Sequence, residues 1–155
     1  MKAAVFSDTH GNTARMVEAV RRERPDCLIH LGDYERDADI LRREFPGLPL
    51  YQVCGNCDMR AASPLTLVVE LGPVKAFLAH GHTYNVRWGT DRLVYAAMEA
   101  GAQIALYGHT HVPDYQQFGG VQVLNPGTAG QGPRLTWALV TVFDNGGVIA
   151  EIRDL

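Results

Sequence analysis

The stretch KAAVFSDTHGN, residues 2–12, places a short apolar run directly before a cluster of polar side chains. An apolar run of this length predicts a buried strand, and the polar cluster predicts a functional loop at its end. Two further runs of this kind are DCLIHL at 26–31 and LYQV at 50–53. Helical spacing of apolar residues predicts helices at about 13–23 and 37–45. The first third is therefore β-α-β-α-β, which is typical of a layered α/β domain with parallel strands.

The remainder of the chain changes character and is richer in strands. Gly72-Pro73 joins two strand-like segments into a hairpin, and one more helix is predicted at 90–100 before Gly101. The predicted strands of this part are 65–71, 74–79, 104–107, 114–118, 121–124, 135–143 and 148–153. No repeat, low-complexity tract or linker separates the two parts. We therefore expect a single domain over 1–155, built as one sandwich of two sheets with helices outside.

Composition limits the classes of protein to which the chain can belong. Hydrophobic residues make up 46% and charged residues 20%, and the net charge is −3. This balance argues against non-specific nucleic-acid binding, which usually needs a basic surface. No apolar run reaches about 18 residues, so no membrane helix is expected. The three cysteines, an odd number with no secretory context, favour reduced thiols and a cytoplasmic protein.

Five polar clusters each follow an apolar, strand-like run. They are Asp8-Thr9-His10, Gly32-Asp33, Gly55-Asn56-Cys57-Asp58, His80-Gly81-His82 and Gly108-His109-Thr110-His111. In open α/β sheets, ligands bind outside the carboxyl ends of the strands, so these clusters are expected to meet at one edge. Any single cluster is typical of a turn or a helix cap. Five of them in this order indicate a metal site.

The residue types indicate which metals the edge would bind. Imidazole together with carboxylate suits Mn²⁺, Fe²⁺, Zn²⁺ or Ni²⁺ better than Mg²⁺ or Ca²⁺. The seven candidate ligands are Asp8, His10, Asp33, Asn56, His80, His109 and His111. Seven ligands are too many for one ordinary metal ion and suit two ions that share a bridge. Two such ions can clamp a phosphate, make hydroxide at neutral pH and stabilise an in-line displacement.

The motif series resembles that of the calcineurin-like metallophosphoesterase family, D-x-H, G-D, G-N-H-[DE], H and G-H-x-H, over residues 8–111. The segments 7–12, 80–82 and 125–128 resemble the small YfcE-type phosphodiesterase branch. The resemblance implies an α/β fold, a four-layer αββα sandwich of two mixed β-sheets flanked by helices. It also implies a binuclear centre, for which Mn²⁺ is our first expectation, and a small phosphate ester as substrate, most specifically a phosphodiester.

The resemblance also implies a role for each matching residue. Asp8, His10 and His111 would hold one metal ion, Asn56, His80 and His109 the other, and Asp33 would bridge them, with a bridging hydroxide as the nucleophile. The candidate catalytic residues are Asp33, Asn56, Cys57, Asp58 and His82. The candidate substrate contacts are Asn12, Asn56 and His82. Asp58 would orient a partner or cap a turn.

One position departs from the family pattern. Cys57 stands where many members have the histidine that protonates the leaving oxygen, and a thiol with an ordinary pKa near 8.5 is a poor general acid. His82 or a metal-bound water would then have to protonate the leaving oxygen. The resemblance to the retromer scaffold subunit, in which the same fold serves protein–protein contact, leaves a catalytically weak or inactive scaffold as the alternative, and a homo-oligomer stays open.

Two smaller features have ordinary interpretations. Cys54 and Cys57 have the C-x-x-C spacing of a redox or zinc site. Pro64 leaves little room for the long helix that a thioredoxin-like site opens, so we expect Cys54 to be buried in a strand and Cys57 to line the site. His30, inside a predicted strand, is expected to be a hydrogen-bonded structural histidine.

Overall fold

Ten strands and three α-helices form the fold in the computed structural model, which describes all 155 residues. The strands are β1 Lys2–Phe6, β2 Cys27–His30, β3 Leu50–Gln52, β4 Thr66–Leu71, β5 Val74–Ala79, β6 Ile104–Leu106, β7 Asp114–Phe118, β8 Val121–Asn125, β9 Thr136–Val142 and β10 Val148–Asp154. The helices are α1 Ala14–Glu23, α2 Ala38–Glu44 and α3 Asp91–Glu99. All the predicted elements are present, with boundaries that differ by a residue at some ends.

The strands form two five-stranded sheets. Sheet 1 has the order β10-β9-β1-β2-β3, and sheet 2 the order β4-β5-β6-β8-β7. In sheet 1, β1, β2 and β3 are parallel and β9 runs antiparallel to β1. In sheet 2, β5, β6 and β8 are parallel and the two edge strands are antiparallel to their neighbours. Both sheets are therefore mixed, as the resemblance implied.

Alternating side chains on each sheet build three separate cores. Ala3 and Val5 of β1 belong to the core between the sheets. Phe6, on the opposite face of β1, packs with Met16 of α1 and other residues of the outer core on the side of α1 and α2. A third core lies between the other face of sheet 2 and α3. The layer order is thus αββα, which confirms the predicted architecture. None of the helices combines the length and apolarity needed to cross a membrane.

The parallel strands bring the polar clusters to one edge. Each cluster lies beyond the last residue of β1, β2, β3, β5 or β6. Two hydrogen bonds join the edges of the two sheets: the His109 backbone N–H donates to Asp8 Oδ2 at 3.0 Å, and His80 Nδ1 lies 2.8 Å from the Leu31 carbonyl oxygen. The clusters from both sheets therefore face a common region, as the sequence predicted.

Candidate metal centre

Asp8 follows β1 at the base of the centre and is completely buried. Its Oδ2 accepts hydrogen bonds from Ser7 Oγ at 2.6 Å and from the His109 backbone N–H at 3.0 Å. Its Oδ1 has no hydrogen-bond partner and lies 3.1 Å from His111 Nε2. One oxygen therefore fixes the carboxylate, and the other remains available to a ligand.

Asp33 lies between two groups of histidines. Its Oδ2 is 3.9 Å from His10 Nε2, and its Oδ1 is 3.4 Å from His80 Nε2. The Cys57 backbone N–H donates to Oδ1 at 2.9 Å and helps to fix the carboxylate. Ligand atoms of four residues lie within 4.8 Å of one another: Asp8, His10, Asp33 and His111. This group contains the three residues that motif matching assigned to one ion, together with the expected bridge.

His80 is completely buried on the other side of Asp33. A carbonyl oxygen can only accept, so the contact of Leu31 O with Nδ1 requires the proton on that nitrogen. In the neutral imidazole the lone pair is then on Nε2, which has no hydrogen-bond partner. Metal-binding histidines are commonly oriented in this way by a carbonyl. The His109 ring lies 5.1 Å from the His80 ring, so these two candidate ligands are also neighbours.

The backbone is strained where the candidate ligands lie. Five of them have left-handed φ values of 44° to 69°: Asp8, His10, Asp33, His109 and His111. Residues with side chains rarely adopt this conformation, and it persists where the surrounding structure imposes it, often at functional sites. Glycine allows the close approach of these loops, because a Cβ on Gly55 would overlap Asp33 Oδ1 and one on Gly108 would overlap Ser7 Oγ.

The pKa values of the centre shift in different directions. Against the effect of burial, Asp33 and Asp8 raise the pKa of His80, and Asp8 raises that of His111. Burial raises the pKa of Asp33, but His80 and the Cys57 N–H lower it more, so the net pKa is below its ordinary value. The pKa of Asp8 is lowered in the same way, against the effect of burial, chiefly by His111 and His80. Burial and the neighbouring His80 lower the pKa of His109 to about 4. At neutral pH the carboxylates are thus ionised and the His109 imidazole is neutral.

The donor set fits a divalent transition metal. Asp8 Oδ1, His10 Nε2 and His80 Nε2 are buried without hydrogen-bond partners. An unsatisfied buried polar atom costs about 1–3 kcal/mol, so three such atoms in one centre call for a ligand. Two carboxylates with several imidazoles are the donors that Mn²⁺, Fe²⁺, Zn²⁺ and Ni²⁺ accept. The residues present therefore suit the metals that the sequence predicted.

The other predicted residues surround this centre at different depths. Asn56 is exposed, and its side-chain Nδ2 lies 3.4 Å from Cys57 Sγ. The residues on either side of it, Gly55 and Cys57, both lie against Asp33. The His82 ring lies 5.5 Å from that of His80, with a buried Nδ1 that has no partner. Asn12 is half-buried in the loop after β1. The structure records no side-chain contact between Asn12 and the centre.

Asp58 and the cysteines have contacts that explain their places. The Asp58 carboxylate accepts the Gly55 N–H at 2.7 Å and the Glu35 N–H at 2.8 Å, so it joins two loops of the centre. The contact with Glu35 fits the expected role of positioning a partner, and the contact with Gly55, three residues earlier in the chain, fits the alternative role of capping a turn. Burial and the nearby Asp33 raise the pKa of the exposed Cys57 to about 11. Cys54 is buried, and both cysteines are free thiols.

His30 is buried between Thr9 Oγ1 and the Gly32 N–H, as expected for a structural histidine.

Several supporting residues were not predicted from the sequence. Glu35 is buried and accepts the backbone N–H groups of Ala62 and Ser63. Thr128 Oγ1 donates to the Asp8 carbonyl at 2.9 Å. Asn125 Nδ2 donates to the Gly108 carbonyl at 2.9 Å. The last two belong to the 125–128 motif that the resemblance singled out, whereas nothing in the local pattern identifies Glu35.

Comparison with known proteins agrees with this geometry. Residues 1–145 match the calcineurin-like phosphoesterase superfamily domain. A probable metallophosphoesterase of Methanothermobacter thermautotrophicus is 33% identical over 92% of this chain and 85% of its own length. Phosphodiesterase MJ0936 of Methanocaldococcus jannaschii is 26% identical over 82% of this chain and 83% of its own.

A solved structure shares the whole fold. Wild-type Vps29 of Entamoeba histolytica, determined as a complex with Zn²⁺, has a TM-score of 0.78 and covers 99% of both chains. Its sequence is 23% identical, so this likeness concerns the fold alone. With the family match over residues 1–145 and the 33% identical relative, the assignment is clear: the chain belongs to the calcineurin-like phosphoesterase superfamily.

Proposed function

We propose that this protein is a metal-dependent phosphodiesterase whose centre holds two divalent transition-metal ions on either side of Asp33. The observation that carries the proposal is the position of this carboxylate. Its two oxygens face different histidines, His10 at 3.9 Å and His80 at 3.4 Å, and both imidazole Nε2 atoms are buried without partners. A carboxylate in this position is suited to bridge two ions.

Each ion would have its own set of ligands in addition to Asp33. Asp8, His10 and His111 would hold one, and Asn56, His80 and His109 the other. Manganese is the first candidate, and iron, zinc and nickel suit the same donors. When bound, two such ions supply Lewis-acid activation of water and of the phosphoryl group.

The protein's own groups would fix this arrangement before substrate binds. The Leu31 carbonyl holds the proton of His80 on Nδ1, and Ser7 and the His109 N–H hold Asp8 Oδ2. Preorganised groups of this kind lose little energy to reorganisation during reaction. Asn12, Asn56 and His82 would contact the phosphate oxygens of a small ester substrate.

A diester with a good leaving group is the substrate type that this centre suits best. The thiol of Cys57, with its pKa raised by burial and Asp33 to about 11, holds its proton too firmly to act as an efficient acid near neutral pH. His82 is the nearest additional imidazole, 5.5 Å from His80 between ring centroids. A relative of similar length is named a phosphodiesterase, which supports the same class.

Replacing Cys57 with histidine is expected to raise hydrolysis of diesters with poor leaving groups by about 100-fold, the lower range of a general acid's contribution. Hydrolysis of bis(p-nitrophenyl) phosphate should change little, because p-nitrophenolate leaves without protonation. The kcat/KM ratio for alkyl and p-nitrophenyl diesters, measured in wild type and Cys57→His, checks this. A Cys57→His variant with normal metal content and no gain on alkyl diesters would show that the missing acid is not limiting.

The function itself is tested by hydrolysis of bis(p-nitrophenyl) phosphate with metal-stripped protein and Mn²⁺, Ni²⁺, Zn²⁺ or Mg²⁺ added back. Turnover restored by transition metals, and lost in His80→Ala, is the expected result. Folded, metal-loaded protein without turnover on this reactive diester would refute the enzyme. The scaffold alternative, which Cys57 and the fold shared with Vps29 favour, would then take its place.

A further inference from the structure

A surface cleft of about 320 Å³, here named the Tyr34 cleft, adjoins the candidate metal centre. The residues that line it are Tyr34, Glu35, Arg36, Cys57, Asp58 and Met59. It meets the centre at two points: the Tyr34 ring lies 5.0 Å from the His10 ring, and the Cys57 N–H donates to Asp33 Oδ1 at 2.9 Å. A group bound in the cleft would therefore lie beside both sides of the centre.

The acidic residues of the Tyr34 cleft are already engaged by the backbone. The two Glu35 oxygens accept the N–H groups of Ala62 and Ser63 at 2.7 and 3.0 Å. The two Asp58 oxygens accept the N–H groups of Glu35 and Gly55 at 2.8 and 2.7 Å. Four other side chains remain for a ligand: the Tyr34 ring, the Met59 thioether and the Cys57 thiol, which are largely apolar, and the exposed, cationic Arg36.

The backbone of Tyr34 is strained. Tyr34 has φ of 66° and ψ of 56°, a left-handed conformation that is unusual for a bulky side chain. Its carbonyl accepts the Asp37 N–H at 2.8 Å, and the next N–H is held by Asp58, so neighbouring contacts impose the conformation. Tyr34 nevertheless remains 47% exposed and Met59 88% exposed. Exposed apolar side chains grouped beside a polar site commonly mark a ligand-binding surface.

We propose that the Tyr34 cleft binds an aromatic ester substituent of the substrate, with Tyr34 and Met59 in contact with its ring. Aromatic side chains and methionine sulfur both make favourable contacts with aromatic rings. The inference rests on the proposed function, because a phosphoryl group held at the metal centre would bring its substituent within reach of the cleft. It narrows the substrate class to aryl or nucleoside-like phosphodiesters.

The test compares two phosphonates that differ only in the substituent on phosphorus. Binding of phenylphosphonate and methylphosphonate to Mn²⁺-loaded protein is measured by calorimetry. Phenylphosphonate is expected to bind about 5- to 100-fold more tightly, the range of one stacking contact. Tyr34→Ala should lose most of this preference while methylphosphonate affinity stays the same, and Tyr34→Phe should keep it. Tyr95→Ala, which removes another exposed tyrosine on α3, is the matched control and should bind as wild type does.

The outcomes separate this inference from the proposed function. Equal affinities in wild type, no binding of either phosphonate, or a preference that survives in Tyr34→Ala would overturn the aromatic subsite. Diester hydrolysis without a preference for phenylphosphonate would support the phosphodiesterase and refute the aromatic subsite. A Tyr34-dependent preference in a protein that hydrolyses no diester would support the subsite and refute the enzyme.

Discussion

Asp33→Asn is expected to lower metal-dependent hydrolysis of bis(p-nitrophenyl) phosphate by about 1000-fold, the upper range for loss of one electrostatic contact in a preorganised site. The amide has almost the size of the carboxylate, so packing is preserved while the negative charge is lost. Asp33 is only 3% exposed and faces both His10 and His80, so its charge is shared by both halves of the centre. Initial rates with saturating Mn²⁺ measure the effect.

The matched control for this change is Asp39→Asn. Asp39 lies on α2 with its side chain 62% exposed, and its nearest basic partner is Arg42 at 3.7 Å. An exposed ion pair of this kind contributes about 0–1 kcal/mol, so the control should keep its activity and its fold. Asp33→Asn with activity within a few-fold of wild type, and a normal circular dichroism spectrum, would contradict the bridging role of the carboxylate.

Gly55→Ala is expected to reduce both stability and metal affinity. The added Cβ would overlap Asp33 Oδ1 and would lie 2.5 Å from the Asp33 backbone nitrogen. The loop must shift to relieve this overlap, at a cost of about 1–3 kcal/mol in the free energy of unfolding. The same shift moves the carboxylate between the two histidine groups. Urea denaturation of metal-free protein and a Mn²⁺ titration measure the two effects separately.

Gly47→Ala offers the corresponding control, because Gly47 has no atom within 4 Å of a built Cβ. Its backbone is not in the left-handed region, so alanine should leave stability unchanged or raise it by about 0.5 kcal/mol. Its Mn²⁺ affinity should equal that of wild type. If Gly55→Ala resembled Gly47→Ala in both measurements, close packing of the Gly55 loop against Asp33 would have no part in forming the centre.

The fold was predictable because local pattern and tertiary packing agree. The run before Asp8 forms β1 as expected, and its alternate residues serve two different cores, so a continuous apolar run is what a strand buried on both faces requires. The helices follow from apolar spacing and end at proline or glycine signals. The candidate ligands were predictable for a related reason: parallel strands end at one edge, so polar residues after each strand must converge.

What the sequence could not supply depends on contacts between distant segments. The left-handed conformation of Tyr34 is followed at once by a hydrogen bond from the Glu35 N–H to Asp58, which lies 23 residues further along the chain, and no local signal marks it. Glu35 is buried because it satisfies two backbone N–H groups more than 25 residues away in the chain. The orientation of the Asp8 carboxylate likewise depends on the His109 N–H from the other sheet. Such features follow from the assembled sandwich, since residues far apart in sequence create them.

The central claim, two metal ions that share Asp33, is tested most directly by anomalous diffraction from crystals grown with Mn²⁺. The account predicts two peaks at the manganese edge, one beside Asp8, His10 and His111 and the other beside His80 and His109, with Asp33 in contact with both. A single peak in the centre, or two peaks of which only one contacts Asp33, would contradict it.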